Sequence, residues 1–193
     1  MAKKITIIAE AGVNYNGDIR IAKEMVKAAA ASGADYVKFQ TGVPKFDVSV
    51  FAEKAEYQKH NTDDDAGSES QLEMCSKLML PFEVYPELIE CCRENNIAFL
   101  SSPFDPPCVR FLHEMGMHIW KIPSGEITHF PMLKVIASYG EPIIMQPEWP
   151  HWKRSRQRLP ISGKTEQGRS RFFTATLNTP HRIRMPISGQ CLT

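Results

Sequence analysis

Residues 36–40 read Tyr-Val-Lys-Phe-Gln, a short apolar run that carries one cationic side chain and ends on a polar amide. Residues 7–10, 99–102 and 119–126 follow the same plan, in which apolar residues lead to residues that can bind or react. Stretches with helical periodicity separate these segments. Alternating strands and helices, with polar groups at the carboxyl ends of the strands, are typical of a parallel α/β barrel enzyme.

Nearly five β/α units are predicted before residue 146. We expect strands at 4–10, 35–40, 97–102, 118–123 and from 142, and helices at 19–32, 70–78, 83–95, 106–115 and 129–138. Residues 41–69 form an excursion of a length typical of a functional or disordered loop. The chain has 193 residues, whereas a complete barrel needs about 250. The expected fold is α/β, a partial TIM (β/α)8 barrel of about five units followed by an irregular basic tail.

The charge distribution divides the chain at residue 145. Residues 146–193 contain nine Lys or Arg against two acidic residues, a net charge of +7, while the remainder carries −6. Five prolines interrupt that segment and no hydrophobic period survives in it. We therefore expect two regions: 1–145 as the barrel part and 146–193 as a disordered tail.

Composition argues against several other classes. The N-terminus has no apolar signal-peptide core, and no stretch approaches the length of a membrane span. The five cysteines show no Cys-x-x-Cys pairing, which favours reduced thiols in a cytoplasmic protein. The six histidines show no paired metal-ligand spacing, and His113 and His118, which flank a turn, are expected at the surface. We expect no metal site in the chain as written.

Four motifs in order resemble the N-acetylneuraminate (sialic acid) synthase family, which includes legionaminate, pseudaminate and spore-coat sugar synthases. They are Ala-Glu-Ala-Gly-Val-Asn-Tyr-Asn-Gly at 9–17, Val-Lys-Phe-Gln-Thr at 37–41, Ser-Ser-Pro-Phe-Asp at 101–105 and Lys-Ile-Pro-Ser-Gly-Glu-Ile-Thr at 121–128. The resemblance covers residues 4–145. Two departures are Tyr15, where the family usually has His, and Ser102, where Thr is common.

The resemblance implies a barrel with a C-terminal antifreeze-like domain, and a homodimer for the intact relative. It implies condensation of phosphoenolpyruvate with an N-acetylated amino-hexose such as N-acetylmannosamine to a nine-carbon keto acid, aided by Mn or Mg. The carbon C3 of phosphoenolpyruvate would attack the metal-activated aldehyde of the open-chain sugar, water would add at C2, and phosphate would leave.

The residues expected at the site divide into carboxylates and groups that bind anions. Glu10 and Glu126 are expected to orient sugar hydroxyls and handle protons, facing each other across the barrel mouth. Lys38 and Lys121, with Gln40, Ser102 and Ser124, are expected to hold phosphate and carboxylate. Each has a structural alternative: a solvated strand end for Glu10, a salt bridge to Glu10 or Glu126 for Lys38, and helix capping for Glu126 and the serines.

The genetic code gives an independent reading of residues 146–193. One nucleotide inserted after the Met145 codon lets the next seven codons read Ser-Ala-Gly-Met-Ala-Thr-Leu, the continuation expected from the family. The same offset from Phe172 to Gln190 permits a sequence that resembles a later strand and loop, including a His that matches a family metal ligand. We expect the tail to be a frameshift product, without the metal ligands, and the chain as written to be inactive.

Two other functions remain open. A Schiff-base aldolase would use Lys38 or Lys121 as its nucleophile. A partial barrel could instead bind RNA through the basic tail, where Lys153, Arg154 and Arg156 lie beside Trp149 and Trp152. Because the tail resembles the family when it is translated in the shifted frame, we expect no nucleic-acid partner. We also expect no membrane partner. The expected partners are small-molecule substrates.

Overall fold

The computed structural model describes residues 5–53 and 70–145. Strands and helices alternate through these residues in the order that the sequence predicts. The strands are β1 (Ile8–Gly12), β2 (Tyr36–Thr41), β3 (Ala98–Pro103), β4 (Trp120–Ile122) and β5 (Ile143–Met145). The helices are α1 (Ile19–Ala31), α2 (Pro44–Asp47), α3 (Gln71–Leu78), α4 (Tyr85–Glu94), α5 (Pro106–Glu114) and α6 (Phe130–Tyr139), with short 3-10 turns at Phe82–Val84 and Ser124–Glu126.

All the described strand pairs are parallel. β1 pairs with β2 and β2 with β3 in one sheet, while β4 pairs with β5 in a second. The strands β3 and β4 also pack beside each other. Within the described residues, β1 and β5 each pair with a single strand. This is the open form of a barrel wall, which confirms the expected partial barrel.

Local sequence explains where the helices begin and end. The Asp18 side chain accepts a hydrogen bond from the Arg20 backbone N–H at 2.8 Å and caps α1. Ser70 and Glu73 form a reciprocal capping box at the start of α3. Gly140 ends α6 with a φ of +66°, a left-handed conformation that glycine adopts without steric cost.

The core lies between the strands and the helices packed on their outer face. Val26 of α1, Leu88 of α4, Leu112 of α5 and Ile136 of α6 are fully buried members of one hydrophobic cluster. These four helices thus contribute apolar faces to a single cluster, as amphipathic helices on a parallel sheet do.

The excursion after β2 differs from the expected loop in one respect. Residues 44–47 form the short helix α2, which starts on Pro44 as helices often do. Residues 54–69 and the expected tail at 146–193 lie outside the described residues, so both predictions stand as predictions. None of the described helices has the length and apolar character that crossing a membrane requires.

Candidate active site

Strand register brings the expected site residues to one end of the sheet. In the parallel pairing Glu10 of β1 lies opposite Lys38 of β2, and Gln40 of β2 lies opposite Ser102 of β3. Side chains alternate between the two faces of a strand, so Lys38 and Gln40 share one face. These four residues therefore form a patch on that face, near the carboxyl ends of the three strands.

Lys38 is the centre of this patch. Its side chain is buried, and its Nζ lies 2.6 Å from Glu10 Oε2 and 3.4 Å from Ser102 Oγ. Of the two structural partners expected for Lys38, the structure selects Glu10. The Glu10 side chain is 38% exposed, so a ligand bound beyond the strand ends can contact the ion pair.

Lys121 on β4 is the second buried ammonium group. It is 8% exposed, like Lys38, and its Nζ donates a hydrogen bond to the Ile122 carbonyl at 3.2 Å. Burial, together with the charge of Lys38, lowers the pKa of Lys121 to about 8, and the carboxylate of Glu10 opposes the shift. The three side chains thus form one electrostatic unit with two ammonium groups and a single carboxylate.

Gly12 allows the backbone to turn beside this unit. Its φ is +59°, in the left-handed region, and the register of β1 shifts between Glu10 and Gly12. A Cβ atom at Gly12 would lie 3.5 Å from Glu10 Oε1 and 3.9 Å from Gln40 Nε2. A side chain at position 12 would therefore contact both the Glu10 carboxylate and the Gln40 amide.

Glu126 lies in a different group of side chains. Its Oε2 is 2.9 Å from His129 Nδ1, and none of its described contacts is with Glu10. Ser124 begins the same 3-10 turn and is half-buried. Burial, together with the charges of Asp105 and Glu126, raises the pKa of Asp47 to about 6. Glu126 thus shares its surroundings with two other carboxyl groups.

Asp105 is a positioning residue that sequence reasoning did not single out. It is buried, its Oδ1 accepts the Cys108 backbone N–H at 2.7 Å, and its Oδ2 accepts the Val43 N–H at 3.1 Å. One carboxylate therefore caps α5 and fixes the loop after β2. The sequence Asp-Pro-Pro at 105–107 predicts the helix cap, but nothing in the sequence predicts the hydrogen bond to Val43.

Tyr15 and Ser101 are neighbours of the site with structural contacts. Tyr15 is fully buried, its ring lies 5.9 Å from that of Phe39, and its hydroxyl donates to the Gln40 carbonyl at 3.4 Å. Ser101 Oγ lies 2.7 Å from Thr41 Oγ1, which is 2.8 Å from the Tyr85 hydroxyl. Of the two adjacent serines of β3, Ser102 faces Lys38 and Ser101 faces the helices.

The donors around Lys38 do not fit a divalent metal ion. The described unit offers one carboxylate, already paired with Lys38, beside two ammonium groups that would repel a cation. Hard cations such as Mg²⁺ prefer several oxygen ligands without adjacent positive charge. The same unit has one more ammonium group than carboxylates, a charge that favours an anion.

Comparison with known proteins shows which protein family this chain belongs to. The profile of the NeuB family matches residues 25–147. The chain belongs to this family. An N,N'-diacetyllegionaminic acid synthase from Campylobacter jejuni is 52% identical over 143 residues, 74% of this chain and 42% of the relative. The human N-acetylneuraminate-9-phosphate synthase is 34% identical over 140 residues, 72% of this chain and 38% of the relative. The chain thus spans about two fifths of the length of these curated relatives.

Solved structures share the fold. The spore coat polysaccharide biosynthesis protein SpsE from Bacillus subtilis aligns with a TM-score of 0.57 and 28% identity, over 80% of this chain and 40% of that one. The sialic acid synthetase from Leptospira borgpetersenii aligns with a TM-score of 0.61 and 24% identity, over 80% of this chain and 50% of that one. These likenesses confirm the barrel class that the sequence predicts.

Proposed function

We propose that this site belongs to a synthase of the sialic acid type that binds phosphoenolpyruvate and condenses it with an N-acetylated amino-hexose to a nine-carbon keto acid. The observation that carries the proposal is the pair of buried ammonium groups, Lys38 and Lys121, with Glu10 as their only described carboxylate neighbour. Membership in the NeuB family and the names of the relatives support the class of product.

The charge of the site favours a ligand with two anionic groups. Burying an ammonium group is costly unless a counter-charge accompanies it. One carboxylate cannot neutralise two lysines, and burial together with the charge of Lys38 lowers the pKa of Lys121. Phosphoenolpyruvate carries a phosphate and a carboxylate, and each charged hydrogen bond to them contributes about 1.5–3 kcal/mol.

The position of each side chain determines which part of phosphoenolpyruvate it binds. Lys38 and Ser102, which lie within 3.4 Å of each other, hold one anionic group of phosphoenolpyruvate, and Lys121 holds the other. Gln40 and Ser124 supply neutral hydrogen bonds. Binding orients C3 of phosphoenolpyruvate toward the aldehyde of the open-chain sugar, after which water adds at C2 and phosphate leaves.

The carboxylates of Glu10 and Glu126 bind sugar hydroxyls and transfer protons. Once a ligand takes over the charge of Lys38, Glu10 is free to accept a hydrogen bond from a sugar hydroxyl or to move a proton. Glu126, held by His129 at 2.9 Å, serves the same purpose from the turn after β4. The Asp47 carboxyl is a neighbour whose raised pKa lets it exchange a proton near pH 6.

A second candidate is a Schiff-base aldolase. The lowered pKa of Lys121, about 8, makes its neutral amine accessible near neutral pH, as carbonyl addition requires. Trapping with borohydride in the presence of pyruvate would label Lys121 if it forms an imine. The synthase proposal predicts no covalent label.

The decisive activity test uses the frame-restored protein, which is the product of the gene with one nucleotide added after the Met145 codon. Phosphoenolpyruvate is supplied with N-acetylmannosamine, its 6-phosphate, or the diacetylated precursors of legionaminate and pseudaminate. We expect one sugar to give stoichiometric phosphate and a nine-carbon keto acid. Release of phosphate without a keto acid from every sugar would contradict the proposal.

A further inference from the structure

Three potential metal ligands converge at the end of the strands opposite the candidate active site. His113 lies in the last turn of α5, His118 precedes β4, and Glu141 precedes β5. Glu141 Oε1 is 2.6 Å from His118 Nδ1 and 3.3 Å from His113 Nε2. One nitrogen or oxygen ligand atom from each residue lies within 4.8 Å of the other two.

The surroundings hold these three side chains in place. The indole Nε1–H of buried Trp120 donates to Glu141 Oε2 at 2.7 Å, which leaves Oε1 directed at the histidines. The His113 ring stacks on Tyr139 with centroids 3.8 Å apart and an interplanar angle of 4°. A hydrogen bond to the second oxygen of a carboxylate and a packed imidazole are supports that metal ligands commonly have.

We propose that His113, His118 and Glu141 bind a zinc ion. Two imidazoles and a carboxylate are an established ligand set for zinc, with a fourth position left to water. Zinc bonds of about 2.0–2.1 Å in a tetrahedron place neighbouring ligand atoms about 3.3 Å apart. The pair His113 Nε2 and Glu141 Oε1 has that separation already. His118, with a side chain 63% exposed, is free to withdraw slightly from Glu141.

The protonation state of Glu141 suits a ligand. Burial tends to raise the pKa of Glu141, but hydrogen bonds from His118 and Trp120 outweigh it and lower the pKa below its ordinary value. The carboxylate is therefore ionised at neutral pH. Neutral imidazole and ionised carboxylate are the forms that bind metal.

A zinc ion bound here would connect three segments of the partial barrel. His113 belongs to α5, His118 to the loop into β4, and Glu141 to the loop between α6 and β5. Its residues are separate from Lys38, Lys121 and Glu10, which lie near the carboxyl ends of the strands. Zinc bound here would link these segments, and its binding does not depend on the proposed synthase function.

The test uses the full 193-residue chain without a histidine tag, at micromolar concentration. Zinc affinity is measured by competition with a chromophoric chelator for the unmodified chain, His118→Ala, Glu141→Gln and Glu114→Gln. Glu114 is exposed, adjoins His113 in sequence and undergoes the same charge change as Glu141. We expect the first two variants to bind zinc at least about tenfold more weakly, and Glu114→Gln to match the unmodified chain.

Cobalt distinguishes this site from the cysteines. Cobalt bound by imidazole and carboxylate gives visible d–d bands without a thiolate-to-cobalt charge-transfer band. We expect that spectrum in the unmodified chain and its loss in His118→Ala. Equal zinc affinity in all four proteins, or a thiolate charge-transfer spectrum that persists in His118→Ala, would overturn the proposal.

Discussion

At the scale of single residues, Glu10 has the most testable role. Its carboxylate contacts Lys38 at 2.6 Å yet is 38% exposed. Under the proposed function it pairs with Lys38 in the free site and binds the sugar in the complex. Glu10→Gln keeps the size of the side chain and removes its charge.

In the frame-restored protein we expect Glu10→Gln to bind phosphoenolpyruvate with nearly unchanged affinity. Turnover should fall by about 100- to 10,000-fold, the range of a lost acid–base group. Titration calorimetry and initial rates at saturating sugar check the two parts separately. A loss of phosphoenolpyruvate affinity as large as that caused by Lys38→Ala would mean that the two side chains act only as an ion pair.

Lys121 gives a prediction on pH. Its pKa in the free protein is about 8, so raising the pH through 8 removes the proton that an anion needs. We expect the affinity for phosphoenolpyruvate to fall as the pH rises above about 8. Arginine remains protonated throughout this range, so Lys121→Arg should bind with an affinity that stays flat from pH 7 to 9.5. A decline in Lys121→Arg equal to that of the unmodified protein would contradict this role.

At the scale of elements, Asp105 connects α5 to the loop after β2. It accepts hydrogen bonds from the backbone of Cys108 and Val43 while buried. Asp105→Ala removes both acceptors, whereas Asp105→Asn keeps an oxygen for the cap and loses the second acceptor.

We expect Asp105→Ala to lower the free energy of unfolding of the frame-restored protein by about 2–4 kcal/mol, the sum of a lost cap and an unsatisfied buried donor. Asp105→Asn should lose less, about 1–2 kcal/mol. Urea unfolding followed by circular dichroism measures both. Equal losses in the two variants would show that the cap on the Cys108 N–H contributes nothing and would contradict this expectation.

The elements were largely predictable because their signals are local. Asp18 before α1 and Gly140 after α6 mark helix ends with known cap chemistry, and the apolar runs of the strands are short and distinct. Residues 44–47 gave no helical periodicity, since four residues make barely one turn. The helix α2, and with it the position of Asp47, could be seen only in the structure.

The site was predictable where strand order decides it. Lys38, Gln40 and Ser102 meet because parallel register aligns the ends of β2 and β3. That Glu126 faces Glu10 stays a prediction, because Glu126 lies on a turn whose direction the sequence does not specify. Its described side-chain contact is with His129. The cluster of His113, His118 and Glu141 depends on contacts between three separate segments, so residue spacing gave no sign of it.

At the scale of the whole molecule, the family match ends at residue 147, and the net charge changes from −6 to +7 across residue 145. We propose that a frameshift at that point causes the codons after Met145 to be translated in a different reading frame. Sequencing the gene through the Met145 codon should show codons that read Ser-Ala-Gly-Met after one inserted nucleotide. Codons that cannot encode this continuation would refute the frameshift.

Lys38 tests the central claim most directly, because phosphoenolpyruvate binding does not require the identity of the sugar. Phosphoenolpyruvate is titrated by calorimetry into the frame-restored protein and its Lys38→Ala variant, with pyruvate as the ligand that lacks phosphate. We predict saturable binding that Lys38→Ala weakens about ten- to a hundredfold, the equivalent of a charged hydrogen bond of about 1.5–3 kcal/mol, and much weaker binding of pyruvate. Binding of phosphoenolpyruvate that is unchanged by Lys38→Ala, or no stronger than that of pyruvate, would contradict it.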